Sequence, residues 1–132
     1  LSLDLYTSLA LARSEAIKRN TGSVSMIAAT IAGVQTWQNG WTVTCVDLAG
    51  SCGGANVVVI AGDAVDPSIT LTGPAGNVVT YNRDGRATLA AAFRITAGAN
   101  NAQTPMRCVD VSVSGRPNTR ADTNAIVADG CN

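Results

Sequence analysis

The chain contains no histidine, and only five of its 132 residues are aromatic: two Trp, two Tyr and one Phe. Without an imidazole it cannot supply a Ser/His/Asp or Cys/His nucleophile pair, a His metal site, or the side chain that ordinarily titrates near neutrality. So few rings, once a core is filled, exclude an exposed aromatic platform for single-stranded nucleic acid. Charge is also scarce: charged residues make up 14% of the chain, nine acidic against nine basic, with no net charge. That balance argues against a strongly basic nucleic-acid module and leaves a surface rich in Thr, Ser, Asn and Gly, which suits exported proteins and packed assemblies. No purely apolar run is longer than Val57 to Ala61, far short of the roughly 20 residues a membrane helix needs. No Cys-x-x-Cys pair occurs, so neither a zinc knuckle nor a thioredoxin motif is available. There is no initiator Met at Leu1 and no charged-then-apolar leader, so a processed or truncated chain with a further segment upstream is expected.

At 132 residues and 46% hydrophobic content, residues 1–132 read as one globular domain with one core. Four scattered cysteines read as disulfides with three possible connectivities. The favoured one joins Cys45 to Cys52 around a short Gly-rich loop and Cys108 to Cys131 at the tail; the alternative is four buried thiols in a reducing compartment.

The first twenty residues carry the one helical stripe. Leu1, Leu5, Leu9, Ala12 and Ala16 recur at three- and four-residue spacing, and Glu15 precedes Arg19 by four. Lys18 and Arg19 suit the last turn, and Asn20-Thr21-Gly22 predicts the stop. Beyond Ser23, β-branched runs such as SVSMIAATI, GWTVTCVDL, NVVVIAG, SITLTG, NVVTYN, ATLAAAFRIT, MRCVDVSVS and NAIVAD alternate with turn residues. The expectation is an α+β domain: an amphipathic helix over residues 1–21 laid on a β-rich body of residues 22–132, the helix projecting beyond the body.

Particular residues carry a resemblance. The string Ala12-Arg13-Ser14-Glu15-Ala16-Ile17-Lys18-Arg19-Asn20, followed by Gly40-Trp41-Thr42-Val43, resembles the signature of the GspH/FimT/FimU group of type IV pilin-like proteins. Tyr81 to Arg86, with Asp84-Gly85 at its turn, and Val111-Ser112-Val113-Ser114-Gly115-Arg116 resemble later elements of the same group. The resemblance implies a type IV pilin-like fold in which residues 1–21 are the second half of a stalk helix and the rest is an antiparallel β-rich head. It implies a minor pilin that initiates or caps a type IV pilus, with no enzymatic activity. A DNA-binding competence pilin and a type II secretion pseudopilin are the alternatives. An apolar helical half preceding Leu1 would anchor in the inner membrane of a Gram-negative envelope, with the head in the periplasm and later on the pilus. Partners would be other minor pilins and the major pilin, contacted through Leu1, Leu5, Leu9, Ala12, Arg13 and Lys18.

The remaining chemistry reads plainly. Asp63 and Asp66 form the closest carboxylate pair of the body, yet Asp66-Pro67 opens a turn, and no EF-hand spacing exists. Ser51 lacks a nucleophile-elbow setting, and Gly50, Gly53 and Gly54 precede no phosphate-loop lysine. No catalytic residue, metal or cofactor is expected. Eight of the nine basic residues are Arg. Arg107, Arg116 and Arg120 are the candidate DNA contacts, Gly115-Arg116 and Arg120 resembling a Gly-Arg-x-Arg element whose second Arg is delayed by two; Asp110, Asp122 and Asp129 balance them. Trp41 is expected under the sheet, and Trp37 at a hairpin tip as an interface anchor.

Overall fold

Leu5, Leu9, Ala12 and Ala16 are completely buried along one face of α1, which runs from Ser2 to Arg19. Removing Leu5 and Leu9 from water contributes about 1.5–3 kcal/mol each, enough to set which way the helix faces. Asp4 in the first turn and Lys18 and Arg19 in the last complement the helix dipole. Asn20 ends the helix in the left-handed region (φ 51°, ψ 45°), its N–H donating to the carbonyls of Ala16 and Ile17. The structure is a computed structural model that describes residues 1–20, 24–46, 50, 52–98 and 103–131. Thr21 and Gly22 of the expected helix stop, and Ser51, lie outside the described residues.

Among the described residues ten antiparallel strands follow: β1 (Val24–Ala28), β2 (Thr30–Ile31), β3 (Val34–Gln35), β4 (Trp41–Cys45), β5 (Val57–Gly62), β6 (Ile69–Thr72), β7 (Val78–Tyr81), β8 (Ala91–Ala97), β9 (Arg107–Val111) and β10 (Pro117–Ala121). They form two four-stranded sheets, ordered β5-β4-β1-β7 and β10-β9-β8-β6, and a small β2-β3 hairpin. Alternation orients each strand: Trp41, Val43 and Cys45 of β4 turn inward while Thr42 and Thr44 face away. The helix packs on β1, β4 and β7 of the first sheet and on β9 and β10 of the second, so one core joins all three layers.

Trp41 fixes the helix to the first sheet. Its Nε1–H donates to Ser8 Oγ at 2.9 Å, both residues being buried. Across the strand pair it lies opposite Gly62, where a Cβ would come within 2.5 Å of the indole, so only glycine leaves room for the ring. Trp37 departs from expectation. It sits in a 3-10 turn (Trp37–Asn39), only 3% exposed, edge-on to Phe93 with centroids 4.8 Å apart, and its Nε1–H donates to the Pro74 carbonyl. A large ring finds more apolar area beneath the sheets than at a loop tip, so Trp37 is core and no interface anchor. Two further expectations change. NAIVAD forms a 3-10 turn (Val127–Asp129) rather than a strand, and SVSMIAATI breaks after Ala28 into the β2-β3 hairpin.

Disulfides join Cys45 to Cys52 and Cys108 to Cys131, each with Cα atoms 6.0 Å apart. The first closes the loop between β4 and β5. The second clamps the tail onto β9, where Met106, Cys108 and Cys131 form a small separate buried cluster.

Candidate assembly surface

The helix has two faces with different fates. Leu5, Leu9 and Ala12, expected to meet neighbouring subunits, are fully enclosed by the chain's own sheets. A periodic stripe reports that a face must be covered and is silent about what covers it. Leu1 is half-buried at the edge of the same core. What faces outward is Leu3 (71% exposed), Tyr6, Ser14, Ile17 and Lys18. Leu3 and Ile17 break the polar character of this outer face, a signal that becomes readable only once the buried face is known.

Arg13, expected as a partner contact, is mostly spent inside the molecule. Its Nε–H donates to the Gly85 carbonyl at 2.9 Å, tying the middle of α1 to the turn after β7. Gly85 in turn touches the turn after β9: a Cβ on Gly115 (φ +83°) would collide with the Gly85 carbonyl and lie 3.2 Å from Arg86 Cα. Tyr81, fully buried beside this junction, has a hydroxyl with no hydrogen-bond partner, and desolvation raises its pKa. Arg13, Tyr81, Asp84-Gly85 and Gly115-Arg116, distant in sequence, therefore form one structural node. The sequence singled out each of these segments without indicating that they meet.

Glu15 is an internal clamp of the helix. Its carboxylate accepts from Arg19 Nε at 2.8 Å and lies 3.7 Å from Lys18 Nζ; the Arg19 hydrogen bond, ahead of Lys18, lowers its pKa despite opposing burial. Beyond it, Tyr6, Arg13, Ile17, Lys18, Arg116 and Pro117 line an open groove between α1 and the start of β10.

The three candidate DNA-contacting arginines are not brought together. Arg107 opens β9 near Leu1 and Ser2, whereas Arg116 follows the far end of that strand, in the turn before β10. Arg120 is on β10, its Nε 2.8 Å from Asp110 Oδ2. Asp66 accepts hydrogen bonds from the Ser68 hydroxyl (2.6 Å) and backbone N–H (2.8 Å), and these lower its pKa. It is a turn residue and the wrong carboxylate for a proton donor, which needs a raised pKa. Among the described residues, no three His, Cys, Asp or Glu side chains converge on a metal-sized site, and no helix is long and apolar enough to cross a membrane.

The family model for the type II transport protein GspH matches residues 2–115, which span the helix, both sheets up to β9 and the Gly85–Gly115 contact. No curated protein matches the sequence. Two crystal forms of the type IV minor pilin FimU of Pseudomonas aeruginosa strain PAO1 share the fold, at 19% identity. The P65 form has a TM-score of 0.68, covering 95% of this chain and 97% of that one. The P21 form has a TM-score of 0.69, with coverage of 95% and 92%.

Proposed function

The chain belongs to the GspH family, and from that premise we propose that it is a minor pilin, a non-enzymatic subunit that helps initiate or cap a type IV pilus. The observation that carries this reading is the division of α1. One face is closed by the chain's own core, and the other presents Leu3, Tyr6, Ile17 and Lys18 outward, in a fold shared over nearly its whole length with a minor pilin. Helices that pack side by side in a filament need such a second, unsatisfied face. In this reading the head folds in the periplasm, where both disulfides form, an apolar segment preceding residue 1 anchors it in the inner membrane, and other minor pilins and the major pilin contact the open helix face. The separation of Arg107, Arg116 and Arg120 gives no support to a DNA-uptake role.

Deleting the gene in its host and quantifying sheared surface filaments tests the proposal. Loss of filaments, restored by the wild-type gene but not by Leu3→Glu/Ile17→Glu, is expected. Normal filaments and absence of the protein from the sheared fraction overturn it. The family's type II transport description favours one second reading, a minor pseudopilin. Intact piliation with a block in secretion of folded proteins selects that alternative.

A further inference from the structure

Leu3, Tyr6, Ala10, Arg13 and Ile17 follow one another on α1 at alternating spacings of three and four residues. That is the a/d spacing of a seam between two helices, kept over about two heptads. The stripe runs beside the buried one of Leu5, Leu9, Ala12 and Ala16, and the chain's own sheets leave it open: Leu3, Tyr6 and Ile17 are exposed, Ala10 and Arg13 half-buried. The edge strand β10 forms a wall along it. Thr119 stands beside Leu3 and Tyr6, while Arg116 and Pro117 stand beside Tyr6, Arg13 and Ile17. One groove therefore follows α1 from Leu3 to Ile17, about 21 Å at 1.5 Å per residue.

The end of this groove near the C-terminus of α1 is basic. The Cβ position of Gly85 lies 2.6 Å from Ile17 Cδ1, and its carbonyl accepts from Arg13 Nε–H, so the turn that carries Arg83 and Arg86 stands against the last turns of the helix. Gly115 packs on Gly85 and Arg86, which brings Arg116 to the same end. Lys18, Arg83, Arg86 and Arg116 are all exposed, and among the described residues none of these three arginines forms an ion pair. The acids on the same elements are engaged. Asp84 accepts from the Arg86 backbone N–H, Glu15 holds Lys18 and Arg19, and Asp110 pairs with Arg120.

We infer that this groove takes an acidic amphipathic helix of a different pilin subunit, its apolar stripe on the α1 seam and its carboxylates toward Lys18, Arg83, Arg86 and Arg116. The inference deepens the minor-pilin reading and rests on it. Two observations choose the occupant. The heptad spacing of the open stripe calls for a helix, because knobs at three- and four-residue steps fill the holes of a second helix. Unpaired cations at one end call for carboxylates there, and opposite charge across a contact sets its register and partner. A second copy fits poorly: α1 carries two acids, Asp4 and Glu15, and Glu15 is already held by Lys18 and Arg19, so copies aligned side by side set cation against cation. Duplex DNA would meet the arginines and leave Leu3, Tyr6 and Ile17 facing water. Exposed ion pairs are individually weak and screened by salt, so the apolar seam supplies attraction and the charges supply selection.

Fluorescence anisotropy on the purified chain tests this with two labelled synthetic helices of 18 residues, the length of α1. Both carry the same Leu/Ala stripe, flanked by Glu in one and by Lys in the other. The Glu helix is expected to bind and the Lys helix not. Arg83→Glu/Arg116→Glu weakens binding of the Glu helix at least about tenfold, Arg83→Lys/Arg116→Lys retains it, and circular dichroism melts check that both variants are folded. Equal binding or no binding of the two helices, or binding of the Glu helix indifferent to the reversal, overturns the inference. So does a groove that ignores the Glu helix but binds fluorescent duplex DNA through the same arginines. The same variants expressed in the deletion strain separate this contact from the reading beneath it. Filaments lost with the Glu variant and kept with the Lys variant support the contact. Filaments that need the gene but tolerate the Glu variant defeat this contact alone, and filaments that do not need the gene defeat the pilin reading.

Discussion

The Tyr81 hydroxyl is buried without a partner, a state that costs about 1–3 kcal/mol of desolvation. Tyr81→Phe keeps the ring and removes the orphan, so urea denaturation should show unchanged stability or a gain of about 1 kcal/mol. A clear loss means the hydroxyl is bonded after all. Gly115 makes the opposite case. A Cβ there meets the Gly85 carbonyl in a left-handed backbone that alanine resists, so Gly115→Ala should cost about 2 kcal/mol or more in the same assay. Both indoles are buried, Trp37 at 3% and Trp41 at 2% exposure, which predicts blue-shifted emission barely quenched by iodide. Strong quenching by iodide would contradict the placement of at least one ring. Trp41 was legible as a ring packed under the sheet. That Trp37 belongs with Trp41 was not, because its setting among turn residues gives no hint of the Phe93 ring more than fifty residues later.

At the scale of elements, α1 was the most legible part. A single stripe, a cationic last turn and Asn20 all pointed to one helix, and its end at Arg19 follows. Strand β10 was illegible because PNTRA has no apolar alternation. It is an edge strand with three exposed residues and a proline at its first position, where no ladder N–H is needed. The role of Arg13 was hidden for a different reason: the acceptor is a backbone carbonyl, which sequence cannot mark. Arg13→Gln should loosen the docking of α1 by about 1–2 kcal/mol, since it weakens a charge-assisted bond to a part-buried carbonyl. Glu15 adds a pH dependence. Its folded pKa lies below the ordinary value of 4.5, so its contribution is complete above that value and is lost as pH falls through the folded pKa. The stability difference between wild type and Glu15→Gln, measured by urea midpoint, should therefore be present at neutral pH and vanish in acid. A difference that persists in acid would assign Glu15 a packing role instead of an electrostatic one.

For the whole molecule, the α+β class was legible because helical and two-residue periods segregate cleanly along the chain, but the division into two sheets was not. Strand β1 pairs with β7 across more than fifty residues, and only the assembled core decides that β7 rather than β6 completes the first sheet. The same long-range assembly gives the two disulfides unequal leverage. Cys45–Cys52 spans 7 residues and Cys108–Cys131 spans 23, so the chain entropy each removes from the unfolded state corresponds to about 2.5 and about 3.4 kcal/mol. The tail they treat differently is thinly anchored. Between Asp122 and Gly130 the side chains are exposed, including Ile126 and Val127, and among the described residues the buried cluster beneath is Met106, Cys108 and Cys131. Cys108→Ser/Cys131→Ser should therefore lower stability more than Cys45→Ser/Cys52→Ser and should also release the tail. Limited proteolysis ought to clip between residues 122 and 131 in the first variant while residues 1–121 survive. Equal losses in both variants, or cleavage that begins in the sheets, would mean that the tail bridge holds the core itself and not just the segment it clamps.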